Sequence, residues 1–109
     1  MSDVTKVLGQ LAAAATTNED LYTAPNLSQV TVSTLTVCNR TAGALTYRIA
    51  VRPAGEALDV KHYIAYDRSV AINFTDNWSI GITIKESDVI TVYASATGLS
   101  FNLFGVETT

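Results

Sequence analysis

The sequence predicts an all-β protein, an antiparallel β-sandwich of jelly-roll type with an extended N-terminal arm, and three observations predict it. Apolar and polar side chains alternate with a period of two in short runs, most plainly from Thr46 to Val51. Clusters of Gly, Pro, Asn, Asp and Ser separate these runs at intervals of about ten residues. Between them no convincing helix is found, which leaves sheet packed on sheet as the way to bury a core. A chain of 109 residues holds one such core and no second domain.

Taken in order, residues Val4 to Ala15 place Val4, Val7, Leu8 and Leu11 at helical spacing, but Gly9 sits among them and no capping residue precedes them. An extended arm over residues 1–17 is therefore preferred to a helix. In it Val7, Leu8 and Leu11 would anchor on another surface, and the small residues from Ala12 to Thr17 would supply a flexible connection to a sandwich over residues 18–109. Asp20 to Ala24 reads as a short strand stopped by Pro25-Asn26. In the run from Val30 to Cys38, Val30 and Val32 share one parity while Leu35 and Val37 share the other. A bulge near Ser33-Thr34 would turn both pairs inward.

Asn39 to Ala44 is rich in turn formers, with Gly43 the candidate for positive φ, and predicts a hairpin to the strand Thr46 to Arg52. On that strand Tyr47, Ile49 and Val51 point to the core and Arg48 and Arg52 point away, until Pro53 ends the ladder. Val60 to Tyr66 resumes strand character and ends at Asp67. Val70 to Ile72 is followed by a strongly one-sided run in which Trp78, Ile80, Ile82 and Ile84 share a face. Lys85 to Asp88 is a polar turn, and Val89 to Ala94 and Leu99 to Val106 are the last two strands. The expected core comprises Val37, Tyr47, Ile49, Val51, Ile64, Ile80, Ile82, Val92, Phe101 and Leu103.

Composition narrows the function classes. Charged residues make up 16% of the chain, below the roughly 25% typical of soluble domains, and fifteen threonines carry much of the polarity. Threonine suits an exposed strand face, and the low charge equally suits a surface covered by other subunits. A net charge of −3 without any basic cluster removes the electrostatic footprint of nucleic-acid binding. No apolar run approaches the ~20 residues of a membrane-spanning helix, and Met1 opens no secretory signal.

Chemistry is equally sparse. Cys38 is the only cysteine, so neither an intrachain disulfide nor a multi-cysteine metal site can form. His62, the only histidine, lies on a strand pattern and reads as a ring packed on a sheet. Asp20, Asp59, Asp67, Asp76 and Asp88 stand singly at loops, where aspartate bonds its own backbone. Asn26, Asn39, Asn73 and Asn77 open Asn-x-Ser/Thr triplets that read as chance in a threonine-rich chain. No catalytic residue, cofactor or metal is expected. Arg48 and Arg52, on one side of their strand, either meet acidic groups of a partner or pair with Asp and Glu of the same chain.

The blocks Asp20 to Pro25, Leu35 to Arg40, Tyr47 to Gly55, Lys61 to Asp67 and Ser100 to Gly105 resemble small virion structural proteins of tailed bacteriophages, notably those of cyanobacterial hosts. The resemblance covers nearly the whole chain and implies a non-enzymatic protein of the virion. Its members include capsid cement or decoration proteins, implying binding to the major capsid protein on the capsid surface and a homo-oligomer, with a trimer the leading count. Similar modules occur in tails and fibres, and exposed aromatics such as Tyr22, Tyr63 or Trp78 would then be the groups for stacking on a glycan.

Overall fold

In the computed structural model, which describes residues 2–79 and 81–109, nine strands form two antiparallel sheets. They are β1 (Asp3–Ala12), β2 (Glu19–Thr23), β3 (Gln29–Asn39), β4 (Leu45–Arg52), β5 (Tyr63–Val70), β6 (Thr75–Trp78), β7 (Ile82–Lys85), β8 (Val89–Ala94) and β9 (Leu99–Thr108). The first sheet runs β1-β9-β3, with β6 and β7 both pairing on β3 and so sharing its far edge. The second runs β2-β8-β4-β5. If β6 and β7 are counted as one interrupted strand, this is the eight-stranded order of a jelly roll, in which the chain passes repeatedly from one sheet to the other.

That order corrects two readings of the sequence. Residues 3–12 do not leave the sandwich as an arm; they are its first strand, paired along β9 from Asp3–Thr108 to Ala12–Ser100. Alternation was hidden because Leu8 is an extra residue in a bulge between Val7 and Gly9, which gives the apolar positions their helix-like spacing. Leu8 and Leu11 thereby pack half-buried against the core. The segment after β1 is also held, since Ala13 N–H donates to Leu99 O at 3.0 Å and Thr16 N–H to Ala94 O at 2.8 Å.

Nor do β3 and β4 form a hairpin: they lie in opposite sheets, and the loop between them crosses the end of the sandwich. Asn39 makes the crossing. It is 1% exposed, its Nδ2 donates to the carbonyls of Gly43 (2.8 Å), Val70 (3.2 Å) and Ala71 (3.2 Å), and its Oδ1 accepts from Thr41 N–H (2.9 Å) and Oγ1 (2.7 Å). A side chain thus does the work expected of Gly43, which is not among the residues of positive φ.

The bulge expected in β3 is present: the register on β9 shifts between Val32 and Thr34, and Val30, Val32, Leu35 and Val37 are all buried. Together with the bulge at Leu8 it flanks Gly105 of β9 on both sides. A Cβ at Gly105 would fall on the carbonyl oxygen of Thr31 and against Leu8, so only glycine lets the three strands pass.

Of the expected core, Val37, Tyr47, Ile49, Val92, Phe101 and Leu103 are at most 1% exposed, and Val51 and Ile82 pack on its margin. Ile80 lies outside the described residues. Ile64 is the exception, 38% exposed. β5 carries two register shifts against β4, and Ile64 is the unpaired residue of one of them, so Ala65 and not Ile64 opposes Ile49. The strand also continues past Asp67, which takes φ 51° in the second shift, to Val70.

Candidate functional surfaces

The two outer faces of the sandwich are the surfaces available for function. On the first sheet, residues directly opposite one another share a face, and those alternating with the buried Phe101 and Leu103 point outward. The cross-strand rows Gln10-Asn102-Thr36-Asn77, Val7-Phe104-Thr34 and Thr5-Val106-Thr31-Thr83 form the middle of that face. None of these side chains is ionisable. Charge enters at the two ends: Asp3 and Lys85 stand at opposite edges of one, and at the other Arg40 Nε donates to Ser100 Oγ at 2.8 Å. Gln10 Nε2 donates to Asn102 Oδ1 at 2.8 Å, and Val7 is 48% exposed.

The outer face of the second sheet is organised by its two arginines. Arg48 places its guanidinium 4.2 Å from the ring centre of Tyr66 and 4.3 Å from that of Tyr93, while Nε donates to Asp67 Oδ1 at 2.7 Å. The left-handed backbone at Asp67 aims its carboxylate at that spot, and the hydrogen bond holds the guanidinium in its charged form still more firmly. Arg52 donates to Thr91 Oγ1 (3.0 Å), Asp20 Oδ1 (3.0 Å) and Glu56 O (2.9 Å). Both arginines are therefore paired within their own chain, the second of the two readings of the sequence. Beside them Val60, Tyr63 and Tyr66 line an open cleft of about 380 Å³, with the two rings perpendicular at 4.9 Å.

Two polar clusters tie the sheets together where the sandwich opens. Tyr22 donates to Glu107 Oε2 at 2.5 Å and Lys6 Nζ reaches Glu107 Oε1 at 3.2 Å, joining β2, β9 and β1. The tyrosine's hydrogen bond pulls the Glu107 carboxyl below its usual range, and burial with that same bond pushes the Tyr22 phenol up. On the opposite side Trp78 Nε1 donates to Tyr47 Oη at 2.8 Å, and Tyr47 donates to Asp76 Oδ2 at 2.7 Å. Burial, then the bond to Asp76, pushes the Tyr47 phenol up to about 12. These contacts were invisible in the sequence because their members lie 29 to 101 residues apart. Tyr22 and Trp78 accordingly serve packing and cross-sheet bonding rather than standing free for stacking, and Tyr66 is 58% exposed instead.

His62 is buried beside β4, where Nδ1 accepts from Asp59 N–H at 3.0 Å and Nε2 lies 3.3 Å from Glu56 Oε1. Cys38 points outward from the first sheet while His62 packs beside β4 of the second, so the two do not form a nucleophile–base pair. Asp88 caps its turn, accepting from Lys85 N–H (2.9 Å) and Ala54 N–H (2.8 Å). Among the described residues no group of three or more His, Cys, Asp and Glu converges as ligands for a metal.

No protein-family model matches the chain, and no curated protein matches it. Among solved structures, 97% of the chain superposes on a chain in the structure of infectious bursal disease virus, Gx strain, with TM-score 0.56 and 13% identity. The Gt strain of the same virus gives TM-score 0.43 and 9% identity over 96% of the chain. The present chain spans 32% of the length of each. At 13% identity the likeness is one of fold.

Proposed function

We propose that this chain is a non-enzymatic structural protein of a virus particle, and that it lies on the outside of a phage head as a cement protein bound to the major capsid protein. The observation that carries the reading is the strand order: nearly the whole chain is one jelly roll of the kind found in viral capsid and lectin domains, and the fold recurs in a chain of a virus structure. The resemblance of its sequence blocks to phage virion proteins supports the finer placement. Cementing a shell requires area and repetition rather than a reacting group, because weak contacts multiplied over a lattice add up. Of the anchors expected in the N-terminal segment, Val7 alone is free for a partner, since Leu8 and Leu11 turn to their own core.

Mixing the full chain with purified heads and sedimenting them tests the reading. Saturable binding at a fixed ratio to capsid subunits, with heads more resistant to heat or chelator, is the expected result. Heads that take up no protein, with a few copies found on tails by electron microscopy, would move the function to a receptor- or glycan-binding module of the tail. The open cleft at Tyr63 and Tyr66 favours that second reading, and there Tyr66→Ala should abolish glycan binding.

A further inference from the structure

We propose that the outer face of the first sheet is a self-association surface, on which two copies of this chain stack face to face about a two-fold axis parallel to the strands. The inference does not depend on the virion reading. It begins from the edges. β1, β2 and β5 each carry at least one bulge, and the edge opposite β1 is divided between β6 and β7. Bulged and interrupted edges resist the addition of another strand, so extension of a sheet is a poor route to an oligomer. Stacking of a face remains.

The first sheet's face has the composition of an interface interior: depleted of charge, with an aromatic ring, Phe104, at its centre. Four strand positions at ~4.8 Å spacing and about ten residues at ~3.3 Å cover roughly 600 Å² in projection. That reaches the low end of the ~600–1,000 Å² per partner that specific interfaces bury. The second sheet's face lacks this character, because Arg48 and Arg52 cross it with their carboxylate partners.

The charges at the end away from Arg40 select both the partner and the axis. Asp3 and Lys85 occupy opposite edges of one end of the face. A two-fold axis along the strands exchanges the edges and keeps the ends, so Asp3 of each copy meets Lys85 of the other, twice. A second copy of the chain is thus the occupant to which this face is complementary. The resemblance implied a trimer; the arrangement proposed here is a dimer.

Sedimentation of the free, full-length protein over a range of concentrations tests this without any head or tail present. The parent should dimerise reversibly. Thr36→Lys, which sets two like charges in the covered interior, should raise the dissociation constant on the order of 100-fold while circular dichroism and the melting midpoint stay unchanged. Thr31→Lys, at an exposed position, repeats the test should Thr36→Lys fail to fold. Asp3→Lys should weaken the dimer, and Asp3→Lys combined with Lys85→Asp should restore it. A parent that stays monomeric at the highest soluble concentration, lysine variants that dimerise as the parent does, or a double swap without rescue would each overturn the proposal.

Discussion

The two outer faces of this sandwich cover the same core and are made by interleaved stretches of one chain, yet one is uncharged through its middle and the other is held together by charge. On the second sheet each arginine satisfies itself: Arg48 lies between Tyr66 and Tyr93 with Asp67 at its tip, and Arg52 ties Asp20 and Thr91 to the loop at Glu56. Such a face stores its stabilising contacts inside the monomer. On the first sheet the hydroxyl, amide and apolar side chains make few contacts with one another, Gln10 with Asn102 being one, so little is lost when another surface covers them. A face that spends its polar groups internally and one that leaves them free are suited to different work, shielding in the first case and contact in the second.

Removing residues 1–12 is the most severe way to break that comparison, because it strips one strand from the uncharged face and none from the charged one. Loss of Leu8 and Leu11 from the core margin and of the whole ladder with β9 should cost on the order of 3–5 kcal/mol, read as a fall in the denaturant midpoint. A truncated chain as stable as the parent would return these residues to the status of a detachable arm.

A smaller effect sharpens the contrast from the other side. Arg48→Ala removes two ring contacts and a partly exposed ion pair, and should cost about 1–2 kcal/mol of stability. Its dimerisation should be that of the parent. A loss of self-association in Arg48→Ala with the fold intact would mean that the two faces had been assigned the wrong roles.

The smallest effect concerns the cluster at Glu107, which belongs to neither face. Its carboxyl titrates lower in the folded chain than the usual 4.5, so the stability it contributes is present above that value and is lost as pH falls through the lowered folded one. Glu107→Gln should cost about 1 kcal/mol at neutral pH, and the gap between variant and parent should close as acidification carries the pH below 4.5 and through the lowered folded value. A gap that does not change with pH would assign the contribution to packing rather than to charge.

Much of the architecture was legible in the residues alone. Alternation at Tyr47, Ile49 and Val51 gave the orientation of β4, the change of parity between Val32 and Leu35 gave the bulge, and Lys85 to Asp88 gave the turn. These are local features, and alternation, turn chemistry and proline act over a few residues whatever the rest of the chain does. The low charge and the many threonines pointed to a neutral surface without locating it.

What only the tertiary structure decided was which strands become neighbours. A period of two places side chains on two faces but does not name the sheet a strand joins, so β3 and β4 read as a hairpin though they lie across the core from each other. Bulges defeat counting for the same reason: one extra residue reverses every parity beyond it, and this turned Leu8 inward, Ile64 outward and β1 from an apparent arm into a strand. The neutral face itself is assembled from β1, β9, β3, β6 and β7, which come from both ends and the middle of the chain. Its existence follows from long-range pairing, which a sequence read residue by residue does not encode in any one place.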